Sequence, residues 1–393
     1  MENFVYYTPT KVVFGKGTER QAGELVKEQG CRKVLVHYGS GSVVRSGLLD
    51  RIYGSLTEAG VNYVSLGGVV PNPRLSLVRE GIELCRKEGV DFILAVGGGS
   101  VIDSAKAIGY GVADGGDVWE FYEKKRKAAA CLPIGAVVTI AAAGSEMSDS
   151  SVITNEEGWL KRGYSSDLGR PKFAVMNPEL TMTLPRYQTA SGCTDIMMHT
   201  MERYFCNCTT MELTDGFCEH LLRTVMKNAK ILMNEPDNYE ARAEVMWAGS
   251  LSHNGLMECG GPHGDWASHQ LEHELGGMFD VAHGAGLAAV WGSWARYVMD
   301  ADPARFARYA VNVMGVEPEN SDTKTALRGI EATEDFFRSI GMPVCIKDLG
   351  IDPTDEQVHE LAEKCSHFRK RTIGCMKKLD VDDMYRIYRN ALG

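Results

Sequence analysis

An α/β domain built on a mostly parallel sheet, followed by an all-helical domain, is the architecture this sequence predicts. Two observations carry the prediction. Through the first half, short apolar runs alternate with segments whose apolar residues recur at helical spacing. From about Pro185 onward the strand signals vanish and only helical spacing remains. Alternation of the first kind places parallel strands beneath covering helices.

Taken in order, the runs at 33–38, 61–66, 92–96, 132–139 and 173–176 read as strands, and 48–59, 75–88 and 101–112 as the helices between them. Gly30, Gly60 and Gly89 stand where helices should stop. In the second half, 213–233, 239–257, 303–313, 323–340 and 354–365 read as helices. The boundary is placed at Leu184-Pro185-Arg186, which makes 1–185 the sheet domain and 186–393 the helical one. A site that uses both belongs in the cleft between them, where ligand pockets tend to form.

The chain has 393 residues, 44% apolar and 24% charged, as expected of a globular protein with two domains. A net charge of −10 without any basic block argues against nucleic acid and anionic membranes as partners. The N-terminus lacks the basic and apolar regions of a signal peptide. The 11 cysteines form no CxxC pair, which fits reduced thiols and a cytoplasmic location. Cys206 and Cys208 would diverge on a helix and are not read as ligands.

Three turns suggest a dinucleotide. Phe92–Val96 runs into Gly97-Gly98-Gly99-Ser100 and then a helix carrying Asp103 and Lys106. Glycines admit a ligand close to the backbone, and the helix start offers free N–H groups to a pyrophosphate. Asp103 and Lys106, three apart, read either as a solvated ion pair or as groups near the nicotinamide and the phosphates respectively. The second turn, Gly39-Ser40-Gly41-Ser42, has no acidic side chain to meet a ribose 2′-hydroxyl. Ser40, Ser42 and Arg45 would instead accept a 2′-phosphate, so NADP is favoured over NAD. The third, from Thr139 to Glu146, is rich in small residues; it reads as a surface for a flat ring, with Thr139 donating a hydroxyl bond, or as tight helix–sheet packing.

The helical half carries a second constellation. Five of the 10 histidines fall between His253 and His283. Asp195 and His199 are four apart, as are His269 and His273, so each pair shares a helix face. His283-Gly284 follows. One carboxylate with several imidazoles suits a divalent transition metal, and without thiolate the donor set accommodates Fe(II), Zn(II) or Ni(II). Asp195, His199, His269 and His283 are the expected ligands, with His273 a neighbouring catalytic group; spacing leaves open which of His269 and His273 ligates. His220, His253, His263, His359 and His367 have no such partners in sequence and read as structural or surface groups.

Together these motifs resemble the iron-containing (group III) alcohol dehydrogenases, most closely their NADP-preferring, butanol-dehydrogenase-like branch. The likeness runs almost the full length: Gly97–Ser100 with Asp103 and Lys106, Gly144-Ser145-Glu146, Asp195-x-x-x-His199, Asp265 through His269, His273-Glu274-Leu275-Gly276 and Ala282-His283-Gly284. Ile140-Ala141-Ala142-Ala143 departs from the family's more usual proline- and threonine-containing run, and Ser40 from a common glycine. The resemblance implies that Asp195, His199, His269 and His283 are ligands, that His273 is a nearby non-ligand, that Lys161 lies near the cofactor, and that the protein is a homodimer. It also implies hydride transfer between NADP(H) and a small alcohol or aldehyde, with the metal, Fe(II) foremost, as Lewis acid and His273 relaying the hydroxyl proton. A glycerol or polyol dehydrogenase of the same fold is an alternative. A lyase resembling dehydroquinate synthase would need a basic cluster, whereas the expected pocket offers Trp266, Leu271, Met278 and Phe279. A non-catalytic sensor would need an effector domain that the sequence does not suggest.

Overall fold

The computed structural model describes residues 1–206 and 211–393, so Cys208 lies outside the described residues. They form two units, Tyr7–Thr183 and Met1–Tyr6 with Leu184–Gly393. The first six residues, expected in the sheet domain, belong instead to the helical unit. The Glu2 N–H donates to Gly260 O at 2.8 Å, and the Tyr6 hydroxyl accepts from Asn254 Nδ2 at 3.3 Å.

In the first unit the strands are β1 (Lys11–Phe14), β2 (Lys33–Gly39), β3 (Asn62–Val69), β4 (Phe92–Gly97), β5 (Ile134–Val138), β6 (Ser150–Asn155), β7 (Leu160–Ser165) and β8 (Phe173–Met176). Six of them make a parallel sheet in the order β1-β8-β5-β4-β2-β3. Every residue of β4, β5 and β8 is buried. Strands covered on both faces read as unbroken apolar runs, which is why these three were visible in the sequence. The β1 strand, only four residues long, sits on the sheet edge, and β6 and β7 form a separate antiparallel ribbon with many polar residues; none of the three was expected. Helices Leu48–Glu58 and Leu75–Glu88 stop before Gly60 and Gly89, which take left-handed φ values of 75° and 65°.

Helix Gly99–Asp114 packs along β6. Lys106, expected at phosphates or in solvent, is fully buried. Its Nζ donates to Ser145 O (2.8 Å), Ser148 O (2.9 Å) and Ser150 O (2.7 Å), and lies near the Oγ atoms of Ser145 and Ser148. The ammonium therefore organises the segment leading into β6. Burial lowers its pKa from 10.5 to about 8, only partly offset by Asp103, Asp149 and Glu146. Between those values the unfolded chain holds a proton that the folded one has released, so stability from this group rises with pH across that window. Lys106→Met should remove that rise and destabilise the protein by about 2 kcal/mol at neutral pH, because buried carbonyls lose their donor. Chemical denaturation of both proteins at several pH values checks this; equal stability at neutral pH would contradict it.

The helical unit is arranged around Arg186–Tyr204, whose residues from Thr194 to Tyr204 are all buried. Helices Glu212–Asn234, Tyr239–Ser252 and His283–Val298 pack against it. The helix expected over 239–257 ends at Ser252, because Ser252 Oγ bonds Gly249 O and the chain turns through Gly255 at φ 93°. Pro303–Asn312, Asp322–Ser339 and Asp355–Cys365 lie within a residue of the expected segments, and Val381–Asn390 is a further helix opened by an Asp380/Asp383 capping box. Arg305 and Asp215 form a buried two-bond ion pair, with the Arg305 Nε also on Tyr204 O at 2.8 Å. No described helix is long and apolar enough to cross a membrane.

Candidate metal centre and cofactor turns

Asp195 and His199 share one face of the Arg186–Tyr204 helix, both 3% exposed. His269 is in the first turn of helix Ala267–Phe279, which begins after Trp266 at a left-handed φ of 62°. That helix ends at Asp280, also left-handed at φ 52°, and the chain re-enters helix at His283. Gly284 then brings this helix against Ser191, one turn before Asp195. A Cβ on Gly284 would lie 2.0 Å from Ser191 O, so only glycine admits this approach.

These elements converge on Asp195 Oδ1. It lies 3.0 Å from His199 Nδ1, 3.8 Å from His269 Nε2 and 3.7 Å from His283 Nε2. Candidate ligand atoms of Asp195, His199 and His269 all fall within 4.8 Å of one another. Ligands at roughly 2.0–2.2 Å from one ion have such spacings. Asp195 Oδ1 and His269 Nε2 are buried and meet no hydrogen-bond partner in good geometry, as expected of atoms directed at a cation.

Each imidazole uses Nδ1 on a protein acceptor: His199 on Asp195 O at 3.0 Å, His269 on Glu202 Oε1 at 3.0 Å, and His283 on Glu272 Oε2. That pattern leaves Nε2 as the lone-pair nitrogen on all three rings, and partners of this kind set ring orientation and basicity. Glu202 also accepts the His269 backbone N–H at 2.9 Å. Glu202 and Glu272 were missed in the sequence, although a signal was present: each follows a candidate ligand histidine by three residues, one helical turn on.

Burial would raise the Asp195 carboxyl, but the His199 and His283 imidazoles outweigh it and hold the pKa well below the usual carboxylate range. Burial likewise pushes His269 down, yet Asp195 and Glu202 carry it up to about 9, whereas His199 is left lowered to about 4 by burial. Asp265 is pushed up to about 7 by burial and by the neighbouring Glu202, against the N–H groups of Met376, Cys375 and Ala267.

His273 stands beside the cluster, its ring centroid 6.0 Å from that of His283. His253, expected to be apart from the site, has its ring 4.2 Å from that of His199. No spacing rule signals this, because His253 arrives from the end of another helix. His220, His263 and His359 are exposed. Trp266 lies 5.3 Å from His269 and 6.0 Å from His199, with the Arg203 guanidinium 4.6 Å over its ring. Leu271, expected near the pocket, is fully buried, and its carbonyl takes the Tyr388 hydroxyl bond.

In the sheet unit, Gly97–Ser100 links β4 to helix Gly99–Asp114 as expected. A Cβ at Gly98 would lie 3.0 Å from Ile140, and one at Gly99 3.2 Å from Ala143, so the small-residue segment after Thr139 packs on this turn. The Thr139 N–H donates to Gly97 O at 3.1 Å, tying the two together. Both carboxylate oxygens of Asp103 are committed to protein groups, one to Ser145 Oγ and the other to Val152 N–H at 2.9 Å. Asp103 thus anchors the 145–152 segment rather than projecting freely toward a nicotinamide. Lys161, which on sequence could have been a surface loop charge, is a 4%-exposed residue of β7 opposite Thr154. Gly39 ends β2; Ser40 and Ser42 are exposed, and the Arg45 guanidinium approaches Gly41.

Comparison with known proteins places the chain in a family. Residues 9–178 match the model of the iron-containing alcohol dehydrogenases, and 189–392 that of the C-terminal region of the Fe-containing alcohol dehydrogenase family. The chain is 40% identical over 393 residues to the probable NADH-dependent butanol dehydrogenase 1 of Bacillus subtilis, covering all of both chains. It is 34% identical over 396 residues to the NADPH-dependent aldehyde reductase YqhD of Escherichia coli, again covering all of both. The crystal structure of NADH-dependent butanol dehydrogenase A from Thermotoga maritima superposes with a TM-score of 0.96 at 40% identity, over 100% of this chain and 99% of that one. With a matching sequence model in each half, full-length relatives and a shared fold, the chain belongs to the iron-containing alcohol dehydrogenase family.

Proposed function

We propose that the protein transfers hydride reversibly between NADP(H) and a small primary alcohol or aldehyde of the butanol/butanal type. The proposed metal ligands are Asp195, His199, His269 and His283, with Fe(II) as the ion. The observation that carries this reading is one carboxylate oxygen of Asp195 with His269 Nε2 at 3.8 Å and His283 Nε2 at 3.7 Å, and candidate ligand atoms of Asp195, His199 and His269 all within 4.8 Å of one another. When bound, the cation supplies Lewis acidity toward the substrate oxygen, and the nicotinamide supplies the hydride donor or acceptor.

The chain's own groups do the rest. Glu202 and Glu272 hold His269 and His283 by their Nδ1 atoms, so the ring positions are set before any ligand arrives. Trp266 gives the site an apolar wall suited to a short alkyl chain. In the sheet unit, the N–H groups at the start of helix Gly99–Asp114, including that of Ser100, suit a pyrophosphate, with Gly97, Gly98 and Gly99 as the glycines for close approach. Thr139 and Lys161 are the further cofactor contacts in this reading, and Asp103 acts by positioning the 145–152 segment.

His273 is assigned the proton relay between substrate hydroxyl and solvent. It is half-buried beside His283 rather than within the ligand cluster. His273→Ala should retain metal while losing about 10²-fold in turnover. An unchanged pH–rate profile in that variant would remove His273 from the mechanism.

Gly39-Ser40-Gly41-Ser42 supports NADP over NAD, because this turn contains no carboxylate and the Arg45 guanidinium approaches Gly41. The names of the relatives divide on this point: the Bacillus enzyme is called NADH-dependent and the Escherichia enzyme NADPH-dependent. Oxidation of NADPH and NADH against a panel of short aldehydes, with metal analysis of anaerobically purified protein, tests the whole reading. NADPH should be preferred by about tenfold, the effect of one well-placed charge contact. Preference for NADH would overturn the NADP assignment, and absence of turnover with every aldehyde would overturn the activity. A homodimer is proposed from the family likeness and from the exposed Phe4, Val5, Tyr6 and Tyr7, a run of apolar side chains that a second copy would cover. A cytoplasmic location is proposed from the cysteines, none of which forms a disulfide among the described residues.

A further inference from the structure

We propose that His253 is a positioning residue of the metal centre, holding the His199 ring in its ligating orientation through a close, tilted ring contact. The inference rests on the metal site proposed above.

His253 follows directly on helix Tyr239–Ser252, and its backbone is fastened on both sides. Its N–H donates to Ser250 O at 3.4 Å, and the side chain of the next residue, Asn254, accepts the Leu256 N–H at 3.0 Å. The side chain therefore leaves from a fixed point. Its ring lies 4.2 Å from that of His199 at a tilt of 34°, and 5.8 Å from that of Trp266. The His199 ring also meets His269 at 4.4 Å and Trp266 edge-on at 6.0 Å. Three rings from two separate stretches of chain thus enclose one proposed ligand.

His199 needs that enclosure more than its fellow ligands do. His269 and His283 have carboxylates on Nδ1, and charge-assisted bonds of that kind are strong and directional. His199 has no carboxylate beyond the ligand set: its Nδ1 bonds the Asp195 carbonyl in its own helix, and the Asp195 carboxylate 3.0 Å from the same nitrogen is itself a proposed ligand. The second torsion of histidine is broad, so a single hydrogen bond leaves the ring free to rock about the bond direction. A flat ring packed against it removes that freedom, and the ordering cost then falls on folding rather than on metal capture. Orienting partners of metal-bound histidines are typically worth about 10–100-fold in affinity.

The test is titration of Co(II) into metal-stripped, full-length wild type, His253→Ala and His253→Phe, reading the dissociation constant and the visible d–d band, with kcat and KM of the reloaded enzymes alongside. His253→Ala should bind Co(II) about tenfold or more weakly, with an altered band, and lower kcat more than it raises KM. His253→Phe keeps the flat face and should recover most of the affinity and the original band. An Ala variant with wild-type affinity and band overturns the proposal, as does a Phe variant no better than Ala. If His253→Ala does not fold, His253→Leu, with similar bulk but no flat face, takes its place in the comparison with Phe. Failure of the wild type to take up Co(II) would defeat the metal reading and this inference together, whereas tight uptake indifferent to His253 defeats this inference alone.

Discussion

His269→Ala is expected to lose bound metal on purification and at least about 10³-fold in turnover, equivalent to roughly 4 kcal/mol of transition-state stabilisation. The size of the effect follows from what His269 touches. It is 4% exposed, its Nε2 is directed at Asp195, and both its Nδ1 and its backbone N–H are on Glu202. Removing the ring deletes one ligand and also strips Asp195 and Glu202, two buried carboxylates, of a positive or polar partner. An uncompensated buried charge costs several kcal/mol, so the altered site resists reorganising around the remaining ligands. The sheet unit holds none of these groups, so NADPH binding by fluorescence should survive in the variant. Metal analysis, steady-state rates and the cofactor titration together decide the matter. A metal-free variant that turned over within tenfold of the wild type would rule out metal-assisted chemistry at this site.

Gly284→Ala should be nearly as damaging, although glycine carries no chemistry. Its Cβ would stand 2.0 Å from Ser191 O and 2.8 Å from the Ser191 carbonyl carbon, a collision with backbone that no rotamer relieves. The helix His283–Val298 must move away from the helix Arg186–Tyr204, taking His283 with it, while Asp195 stays behind. Overpacking of this kind costs about 1–3 kcal/mol. A misplacement of about 1 Å at a reacting centre costs roughly 10²-fold in rate. The expected outcome is therefore a lowered Tm, metal affinity weakened about 10²-fold, and a corresponding fall in kcat/KM. Gly216→Ala is the control: no atom lies within 4 Å of the Cβ it would add, so it should leave metal affinity and kcat/KM unchanged and not lower the Tm, since Ala favours a helix over Gly. Wild-type metal affinity in Gly284→Ala would mean that the close approach of the two helices does not set the position of His283.

The pairing of His283 with Gly284 shows how sequence and structure divide the work. As a dipeptide it signals only a histidine near a flexible residue. In the fold, the glycine is the condition for the histidine to reach Asp195 at 3.7 Å. A similar gap separates Lys106 as a charge three residues after Asp103 from Lys106 as a buried ammonium on the carbonyls of Ser145, Ser148 and Ser150. Helical spacing predicted the face on which it lies and could not show that another segment folds over that face.

What was legible without coordinates followed from periodicities internal to one element. The buried strands β2, β4, β5 and β8 announced themselves as apolar runs, the helices as apolar stripes, and the pairs Asp195/His199 and His269/His273 as residues one turn apart. The short polar ribbon of β6 and β7 had no such pattern, and Lys161 was accordingly open to reading as a loop residue. Tertiary structure alone decided which of the remaining histidines joins the centre. His253 and His263 look alike in sequence, yet the first has its ring 4.2 Å from that of His199 and the second is exposed. The physical reason is that spacing along a helix reports direction from its own axis. Distances between groups on different helices depend on how closely their backbones pack, and that is set by contacts such as Gly284 on Ser191, made between residues far apart in the chain.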